Sequence, residues 1–484
     1  MLFTSSYYIF AFLPIVFAGY FLLLRANWVV ASRLWLVLAS LYFYGFWNPS
    51  YLLLIGTSIS VNFMLGRILQ SSREQRDRYP WRHQAWLITA IAFNLLLLGY
   101  FKYADFFIGN VNLALGTDLP LLHLILPLAI SFFTFQQLAY LIDCYRNPVE
   151  RYDFLRYSLF VSFFPQLIAG PIVHHREMMP QFVSPTNYQL DWHHTTSGVL
   201  LFGIGLFKKV VIADGFGIWA NQGFADTSSL TLLDAWASSL SYTLQLYFDF
   251  SGYTDMAIGA ALMFNIRLPE NFDSPYKSLN IREFWRRWHM TLSRWLSSYV
   301  YVPLGGDRAG SFKMYRNLIL TFLIGGFWHG AGWTFVIWGA LHGIALCINR
   351  WWQGLGVVMP KLLAGFITFL FVSTALVVFR AEDMGSAFEM LGAMLGSHGV
   401  STWQSGWLHS GQWFQSWREV AGPINSVWII IFAAVTFLAP NSTQIVRGAK
   451  RFTPVHVALV AVALFASILL TISSEPPEFL YFDF

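Results

Sequence analysis

Long apolar runs alternate with short polar stretches along the whole chain. A helix that crosses the hydrocarbon core of a bilayer needs about 20 mostly apolar residues. Runs that approach this length lie at 7–24, 28–47, 50–70, 85–103, 121–142, 154–173, 197–220, 230–249, 252–266, 316–329, 331–349, 362–380, 425–440 and 455–473. Several are short, and "FSGY" at 250–253 is expected to break a helix. The pattern predicts an all-α polytopic membrane protein with about 11 transmembrane helices plus re-entrant and interfacial helices.

Composition excludes an ordinary soluble protein. The 484 residues are 56% hydrophobic and 11% charged, with a mean hydropathy of +0.51, whereas soluble domains carry about 25% charged residues. Aromatic residues make up 18%, including 21 tryptophans, which is typical of interfacial belts and indicates aromatic-lined cavities as well. The net charge of +5 indicates basic cytoplasmic loops and not nucleic-acid binding.

The distribution of Lys and Arg predicts the orientation of the chain. Arginine-rich 71–83, basic 447–452 and the nine Lys and Arg residues of 267–316 are expected to be cytoplasmic. The stretch 384–424 has one Arg and is expected to be a periplasmic loop. With the acidic C-terminal tail also outside, both termini are predicted to be periplasmic. We expect one membrane domain over 1–484, because no repeat or soluble insertion interrupts it.

The segment 267–316 carries a concentration of charged and aromatic residues. Its "NIREFWRRWHMTLSRWL" predicts one amphipathic helix with Phe284, Trp288, Thr291 and Trp295 on one face. Arg282, Arg286 and His289 fall on another face, and Glu283 is spaced to pair with Arg287. Two interpretations remain open: an interfacial helix with arginines in water, or an anion clamp whose arginines bind phosphates.

Other polar residues within apolar stretches are candidates for function. Asp249 and Asp255 are costly at membrane depth and therefore functional candidates, although ion pairs with arginines of 267–316 would explain them structurally. The histidine pairs 174–175 and 193–194 are interpreted as ordinary interfacial residues.

The stretch "GGFWHGAGWTFVIWGALHG" at 325–343 holds two histidines in an apolar setting. His329 lies 13 residues beyond Arg316, which places it about 20 Å deeper, near the middle of the membrane. A neutral imidazole suits general-base chemistry there. His342 lies 13 residues further, so the two rings would not share a face of one continuous helix, and this pair is not expected to form a metal site.

The motifs "EFWRRWHMTLSRWLSSYVYVPLGG" and "NLILTFLIGGFWHGAGWTFVIWGALHG" resemble the membrane-bound O-acyltransferase family. "YFDFSGYTDMAIG", "ENFDSPY", "FPQLIAGPI", "VVFRAEDMGSAFEML" and the terminal "FLYFDF" are similar to its bacterial alginate and exopolysaccharide O-acetyltransferase branch. The chain departs from that branch at its last motif, where Asp483 stands in place of the usual Gln.

The resemblance implies helices around a central pore and acetyl transfer from cytoplasmic acetyl-CoA across the bacterial inner membrane. His329 and His289 fall on the two histidines that it marks as catalytic. The residues assigned to substrate or cofactor binding are Arg282, Arg286, Arg287, Trp328, Trp285, His342, Asp249 and Asp255. Acetyl-CoA is expected as a substrate, with no bound cofactor or metal.

The resemblance also implies partners and an acceptor. Periplasmic or membrane-anchored acetyltransferase proteins would complete transfer to an exported polysaccharide such as alginate. Cellulose, another exopolysaccharide or peptidoglycan are alternative acceptors. An alternative from a different class is a proton-coupled transporter, which would use the buried histidines as a proton relay. Such proteins often show two related halves, and no internal repeat is visible in this sequence.

Overall fold

A computed structural model describes residues 1–74, 77–168, 170–308, 310–400, 423–448, 454–473 and 480. All regular structure in this part of the chain is helical. The first ten α-helices are α1 Leu13–Arg25, α2 Val29–Gly45, α3 Tyr51–Glu74, α4 Pro80–Leu98, α5 Ala104–Leu115, α6 Ile130–Arg146, α7 Phe154–Ser162, α8 Phe164–Leu167, α9 His175–Met178 and α10 Trp192–Phe207.

The remaining α-helices include the segments that carry the motif histidines. They are α11 Asp214–Ala225, α12 Leu232–Met263, α13 Ile281–Arg287, α14 Met290–Leu296, α15 Ser311–His329, α16 Trp333–Gly354, α17 Lys361–Arg380, α18 Met384–Met394, α19 Pro423–Leu438, α20 Ser442–Gly448 and α21 Pro454–Ser473. π-helical turns occupy Tyr8–Phe12, Gly99–Tyr103, Lys208–Ala213 and Ser297–Tyr301. Single 3₁₀ turns occupy Met179–Phe182, Pro185–Asn187, Thr227–Ser229 and Pro275–Lys277.

Four helical segments among the described residues are long and apolar enough to cross a membrane. They are Tyr8–Arg25, Tyr51–Arg73, Pro80–Leu115 and Lys361–Arg380, and a fifth is added if α19 and α20, bent by 49°, form one span. Large apolar side chains on these segments are exposed, as expected of lipid-facing surfaces, among them Leu22, Leu53 and Leu96. The all-helical polytopic class is confirmed, while the total of about 11 spans stays a prediction.

Several predicted spans differ from the structure. The run 154–173 contains two short helices, α7 and α8, which Phe163 separates. The run 121–142 is helical only from Ile130, because 117–129 is irregular and contains Pro120 and Pro127. The carboxylate of Asp105 accepts the backbone N–H groups of Leu122 and His123 at 2.6 and 2.9 Å, which holds this irregular stretch.

The expected helix break at 250–253 is also wrong. α12 is continuous over 32 residues, or about 48 Å. A Cβ on Gly252 would lie 2.7 Å from the carbonyl oxygen of Gly205. The glycine therefore allows close helix packing and does not end the helix.

The chain divides into two compact units. Unit 1 comprises 1–202 and 254–269, and unit 2 comprises 203–253 and 270–484. In unit 1, polar side chains join apolar helices: Asn62 and Asn94 exchange hydrogen bonds of 3.2 and 2.6 Å between α3 and α4. Such amide pairs hold helices together where lipid offers no competing partner.

In unit 2, α15 and α16 form an antiparallel hairpin with very close backbones. A Cβ on Gly326 would lie 2.3 Å from the carbonyl oxygen of Phe335, and one on Gly339 would lie 2.3 Å from that of Phe322. Only glycine permits this spacing. The hairpin turns directly after His329, so the closely packed helices fix the position of that residue.

Two predicted regions lie partly or wholly outside the described residues. The predicted periplasmic loop 384–424 begins with the helix α18, and 401–422 are not described. Of the acidic tail, only Ser473 and Leu480 are among the described residues. The single domain over 1–484 and the positions of the termini stay predictions.

Candidate functional site

His289 lies in a break between two short helices. The predicted single amphipathic helix over 280–296 is wrong, because α13 ends at Arg287 and α14 begins at Met290. His289 takes a left-handed backbone conformation, with φ 41° and ψ 52°, which is uncommon for a residue other than glycine. The break turns its side chain into the interior, where it is fully buried, and away from the exposed Arg282 and Arg286.

Asn271 holds this break through both its backbone and its side chain. Its carbonyl oxygen accepts the backbone N–H of Met290 at 3.0 Å. Its Oδ1 accepts three hydrogen bonds, from the backbone N–H and the hydroxyl of Thr291 at 3.2 and 2.9 Å and from Nδ1 of His289 at 3.1 Å. An amide oxygen is only an acceptor, so Nδ1 of His289 carries the proton and Nε2 of the neutral ring carries the lone pair.

The surroundings of His289 keep its imidazole neutral. Phe250 packs edge-on against the ring at a centroid distance of 4.8 Å, and Trp328 lies 6.3 Å away. Burial among these rings lowers the pKa of His289 to about 3. His289 is therefore available as a hydrogen-bond acceptor or base over the physiological pH range.

His329 is the last residue of α15 and lies in the same buried cluster as His289. The centroids of the two imidazole rings are 6.4 Å apart. Trp328, Trp338 and Phe379 surround the His329 ring at 5.0, 5.2 and 5.4 Å. His329 is 4% exposed. The structure thus brings together the two histidines that lie 40 positions apart in the sequence.

His342 belongs to the same aromatic cluster. Its Nδ1 accepts a hydrogen bond of 3.1 Å from Nε1 of Trp285, which places the proton of the neutral ring on Nε2. Trp338 packs against both His342, at 4.7 Å, and His329, at 5.2 Å. Since a turn separates α15 from α16, the geometry expected from one continuous helix over 329–342 does not apply.

The three candidate arginines differ in their environment. Arg287 forms salt bridges with Glu283 at 3.0 Å and Asp273 at 3.4 Å, which confirms the predicted pairing of Glu283 with Arg287. Arg282 and Arg286 are exposed. The guanidinium of Arg287 therefore stabilises the segment, whereas the other two are accessible from outside the protein.

Asp249 has a different ionic partner from the one predicted. Nζ of Lys209 lies 2.6 Å from Asp249 and 2.8 Å from Asp214, and all three side chains are buried. The expected ion pair between Asp249 and arginines of 267–316 is therefore wrong. The cation is a lysine in the π-helical turn Lys208–Ala213, and no local signal in the sequence marks it as the partner. Asp255 is buried in unit 1.

The histidines 174 and 175 are not both ordinary interfacial residues. Nε2 of His174 and Nε2 of His175 lie 2.9 and 3.1 Å from the same carboxylate oxygen of Asp143, and His175 is fully buried. These two ring nitrogens and the carboxylate oxygen are close enough to one another to act as ligands of one metal ion. However, Nδ1 of His174 accepts the backbone N–H of Arg176 at 3.4 Å, so its Nε2 carries the proton that a metal would have to replace.

One member of the pair 193–194 forms hydrogen bonds through its ring. Nδ1 of His194 lies 3.1 Å from Oδ1 of Asn265, and Nε2 lies 2.9 Å from the guanidinium of Arg267. Both contacts lie within unit 1. They tie the start of α10 to the segment that follows α12.

Sequence reasoning missed two residues of the cluster. Asn271 lies in "ENFDSPY", a motif of the resemblance, and its position as a polar residue beside aromatic ones is the signal that could have identified it. Trp338 lies inside the stretch that holds both histidines but was not distinguished from its neighbouring aromatics.

Comparison with known proteins identifies a family and several relatives of this chain. The family model described as membrane-bound O-acyltransferase matches residues 42–355. A peptidoglycan O-acetyltransferase of Helicobacter pylori is 52% identical over 431 residues, covering 83% of this chain and 81% of that protein. A probable alginate O-acetylase of Pseudomonas aeruginosa is 42% identical, covering 84% and 76%. One of Pseudomonas putida is 37% identical and covers both chains completely.

The matched region contains Asn271, His289, His329 and His342. The predicted acyltransferase class is thereby confirmed, and so is its placement in a membrane. The chain belongs to the membrane-bound O-acyltransferase family.

Proposed function

We propose that the protein transfers acetyl groups from cytoplasmic acetyl-CoA to a hydroxyl group of an exported glycan. The observation that carries this proposal is the placement of His289 and His329 in one buried aromatic cluster, with ring centroids 6.4 Å apart. Acyl transfer needs a base for the incoming hydroxyl and a dry site in which the thioester is not hydrolysed.

The two histidines have different roles in this proposal. His329 removes the proton of the acceptor hydroxyl as it attacks the thioester. Nε2 of His289, kept unprotonated by the hydrogen bond from Nδ1 to Asn271, positions the reacting groups. The exposed Arg282 and Arg286 bind the phosphates of the donor, for which guanidinium geometry is well suited, whereas Arg287 is occupied by its own carboxylate partners.

The acceptor is an exported polysaccharide, and the relatives favour two kinds. Two of them are named as probable alginate O-acetylases, and a more similar one as a peptidoglycan O-acetyltransferase. We propose an inner-membrane location with periplasmic or membrane-anchored partner proteins that complete the transfer. Cellulose or another exopolysaccharide would require the same chemistry.

The test is acetylation of exported glycans in cells that lack the gene and carry either the wild-type protein or His329→Ala at equal membrane levels. Ester-linked acetate is measured separately on peptidoglycan and on secreted polysaccharide. Restoration by the wild-type protein alone supports the proposal and identifies the acceptor. Equal acetylation by His329→Ala would contradict the catalytic assignment.

A transporter is distinguished by a second measurement. Purified protein in lipid nanodiscs is given acetyl-CoA and a carbohydrate acceptor, and free thiol is measured. Acceptor-dependent thiol release is the result expected of an enzyme. Solute flux in vesicles without thiol release would instead favour the proton-coupled transporter.

A further inference from the structure

Trp338 lies between the histidines of the cluster. Its ring packs against His329 at 5.2 Å and almost perpendicular to it, at 87°, and against Phe379 at 5.0 Å. It is 5% exposed. The indole is therefore close enough to the His329 ring to contact a group that reacts there.

The indole N–H of Trp338 is buried, and no described residue accepts a hydrogen bond from it. Two tryptophans of unit 2 have such a partner: Nε1 of Trp285 donates to His342 at 3.1 Å and Nε1 of Trp236 donates to a backbone carbonyl at 3.0 Å. Buried indole N–H groups usually have a partner, and an unpaired one costs about 1–3 kcal/mol. A phenylalanine would avoid this cost, so the N–H group points to an acceptor on a bound substrate.

We propose that Nε1–H of Trp338 donates a hydrogen bond to the carbonyl oxygen of the acetyl thioester and stabilises the oxyanion formed from it. This inference rests on the proposed acetyl transfer. Indole nitrogen is a donor only, so Trp338 cannot act as the base. A donor fixed in a buried site, where water does not screen it, is suited to stabilising negative charge that develops during the reaction.

The reaction step balances with these groups. The acceptor oxygen forms a bond to the thioester carbon while its proton moves to His329, and the carbonyl electrons become the oxyanion held by Trp338. When the oxyanion collapses, the carbon–sulfur bond breaks and the thiolate takes the proton from His329. The products are the acetyl ester and free thiol, and His329 is returned to its neutral form.

The test replaces the N–H group without changing the ring. Incorporating 3-benzothienylalanine at position 338 puts sulfur in place of N–H. Trp338→Phe removes the same N–H group with a genetically encoded residue. We expect kcat to fall by about 10²–10³-fold, as on removal of other oxyanion donors, while the free protein that carries the analogue is at least as stable as the wild type, because the unpaired buried N–H group is removed. A matched control carries the same analogue at Trp236, where kcat should be unchanged.

A second readout separates oxyanion binding from packing. A donor in which the carbonyl oxygen is replaced by sulfur accepts hydrogen bonds poorly, so the wild-type protein should strongly prefer the oxygen donor. In the analogue at 338 this preference should shrink by a similar factor. A structural role of Trp338 would lower both rates equally and leave the preference intact.

The outcomes distinguish the two proposals. If the wild-type protein transfers acetyl and the analogue at 338 has wild-type kcat and donor preference, the role of Trp338 is refuted and the proposed function stands. If the wild-type protein releases no thiol with acceptor present, or His329→Ala is as active as wild type, the proposed function itself fails.

Discussion

Replacing Asn271 by leucine tests how the cluster prepares His289. Leucine has nearly the shape of asparagine but accepts no hydrogen bond. The substitution leaves two buried N–H groups without an acceptor, Nδ1–H of His289 and the backbone N–H of Thr291. The hydroxyl of Thr291 also loses its acceptor, but it is not counted because it can rotate to another partner. The substitution also removes Nδ2 of Asn271, a buried donor that has no partner among the described residues.

The balance is one additional unpaired donor, so the loss of stability is expected to be about 1–3 kcal/mol. The effect on activity is expected to be larger. Without the acceptor, the proton of His289 is no longer confined to Nδ1 and the ring orientation is no longer fixed. Loss of the partner that orients a metal-bound histidine costs about 10–100-fold in activity, and we expect an effect of that size for Asn271 and His289.

Asn271→Asp is the matched variant, because a carboxylate accepts the same hydrogen bonds. We expect it to keep kcat near neutral pH, since the tautomer of His289 is preserved. Its negative charge favours the imidazolium and raises the pKa of His289, so the acidic limb of the pH–rate profile should move to higher pH. Thiol release from acetyl-CoA in nanodiscs and thermal unfolding provide both measurements.

A double-mutant cycle shows whether Asn271 acts through His289. In a His289→Gln background, Asn271→Leu should lower the residual activity much less than it does in the wild-type protein. The reasoning is refuted if Asn271→Leu keeps wild-type kcat, or if its effect is the same in both backgrounds.

Three further predictions concern stability. Gly326→Ala forces α15 and α16 apart and should lower both the unfolding temperature and activity, whereas Gly354→Ala, which meets nothing within 4 Å, should change neither; equal effects would contradict the close packing of the hairpin. Lys209→Met removes the cation that pairs with two buried carboxylates and should lower the free energy of unfolding by about 3–5 kcal/mol. Adding Asp249→Asn should recover part of this loss. Chemical denaturation measures both effects, and an unchanged free energy of unfolding would be inconsistent with the ion pairs. The pKa of His289 is about 3 in the folded protein and ordinarily 6.5, so the unfolded chain binds a proton first as the pH falls. The free energy of unfolding should therefore be level above about pH 7 and fall below pH 6.5. His289→Gln should reduce this pH dependence, and an identical pH profile in the variant would contradict the prediction.

The sequence predicted the membrane class because it depends on local patterns. Apolar length identifies a helix, and α15 runs without a break from Ser311 to His329; the depth of His329 in the membrane stays a prediction. The break at His289 could not be predicted in this way. It is held by hydrogen bonds to Asn271, 18 positions earlier, and these override the amphipathic pattern of 280–296.

The same limit applies to glycine and to buried charge. Gly252 has the appearance of a helix breaker, but its lack of a side chain allows the approach of another backbone, which only the folded chain reveals. The partner of Asp249 is Lys209, 40 positions away, and nothing local distinguishes it from the arginines of 267–316. Local patterns thus located the helices, whereas contacts between distant residues determined the site.

The central claim is that His329 serves acetyl transfer in a buried cluster. It is tested most directly by acceptor-dependent release of thiol from acetyl-CoA by purified wild-type protein and by His329→Ala of equal thermal stability. We expect steady release by the wild-type protein and none above background by the variant. Equal rates from the two proteins would contradict it.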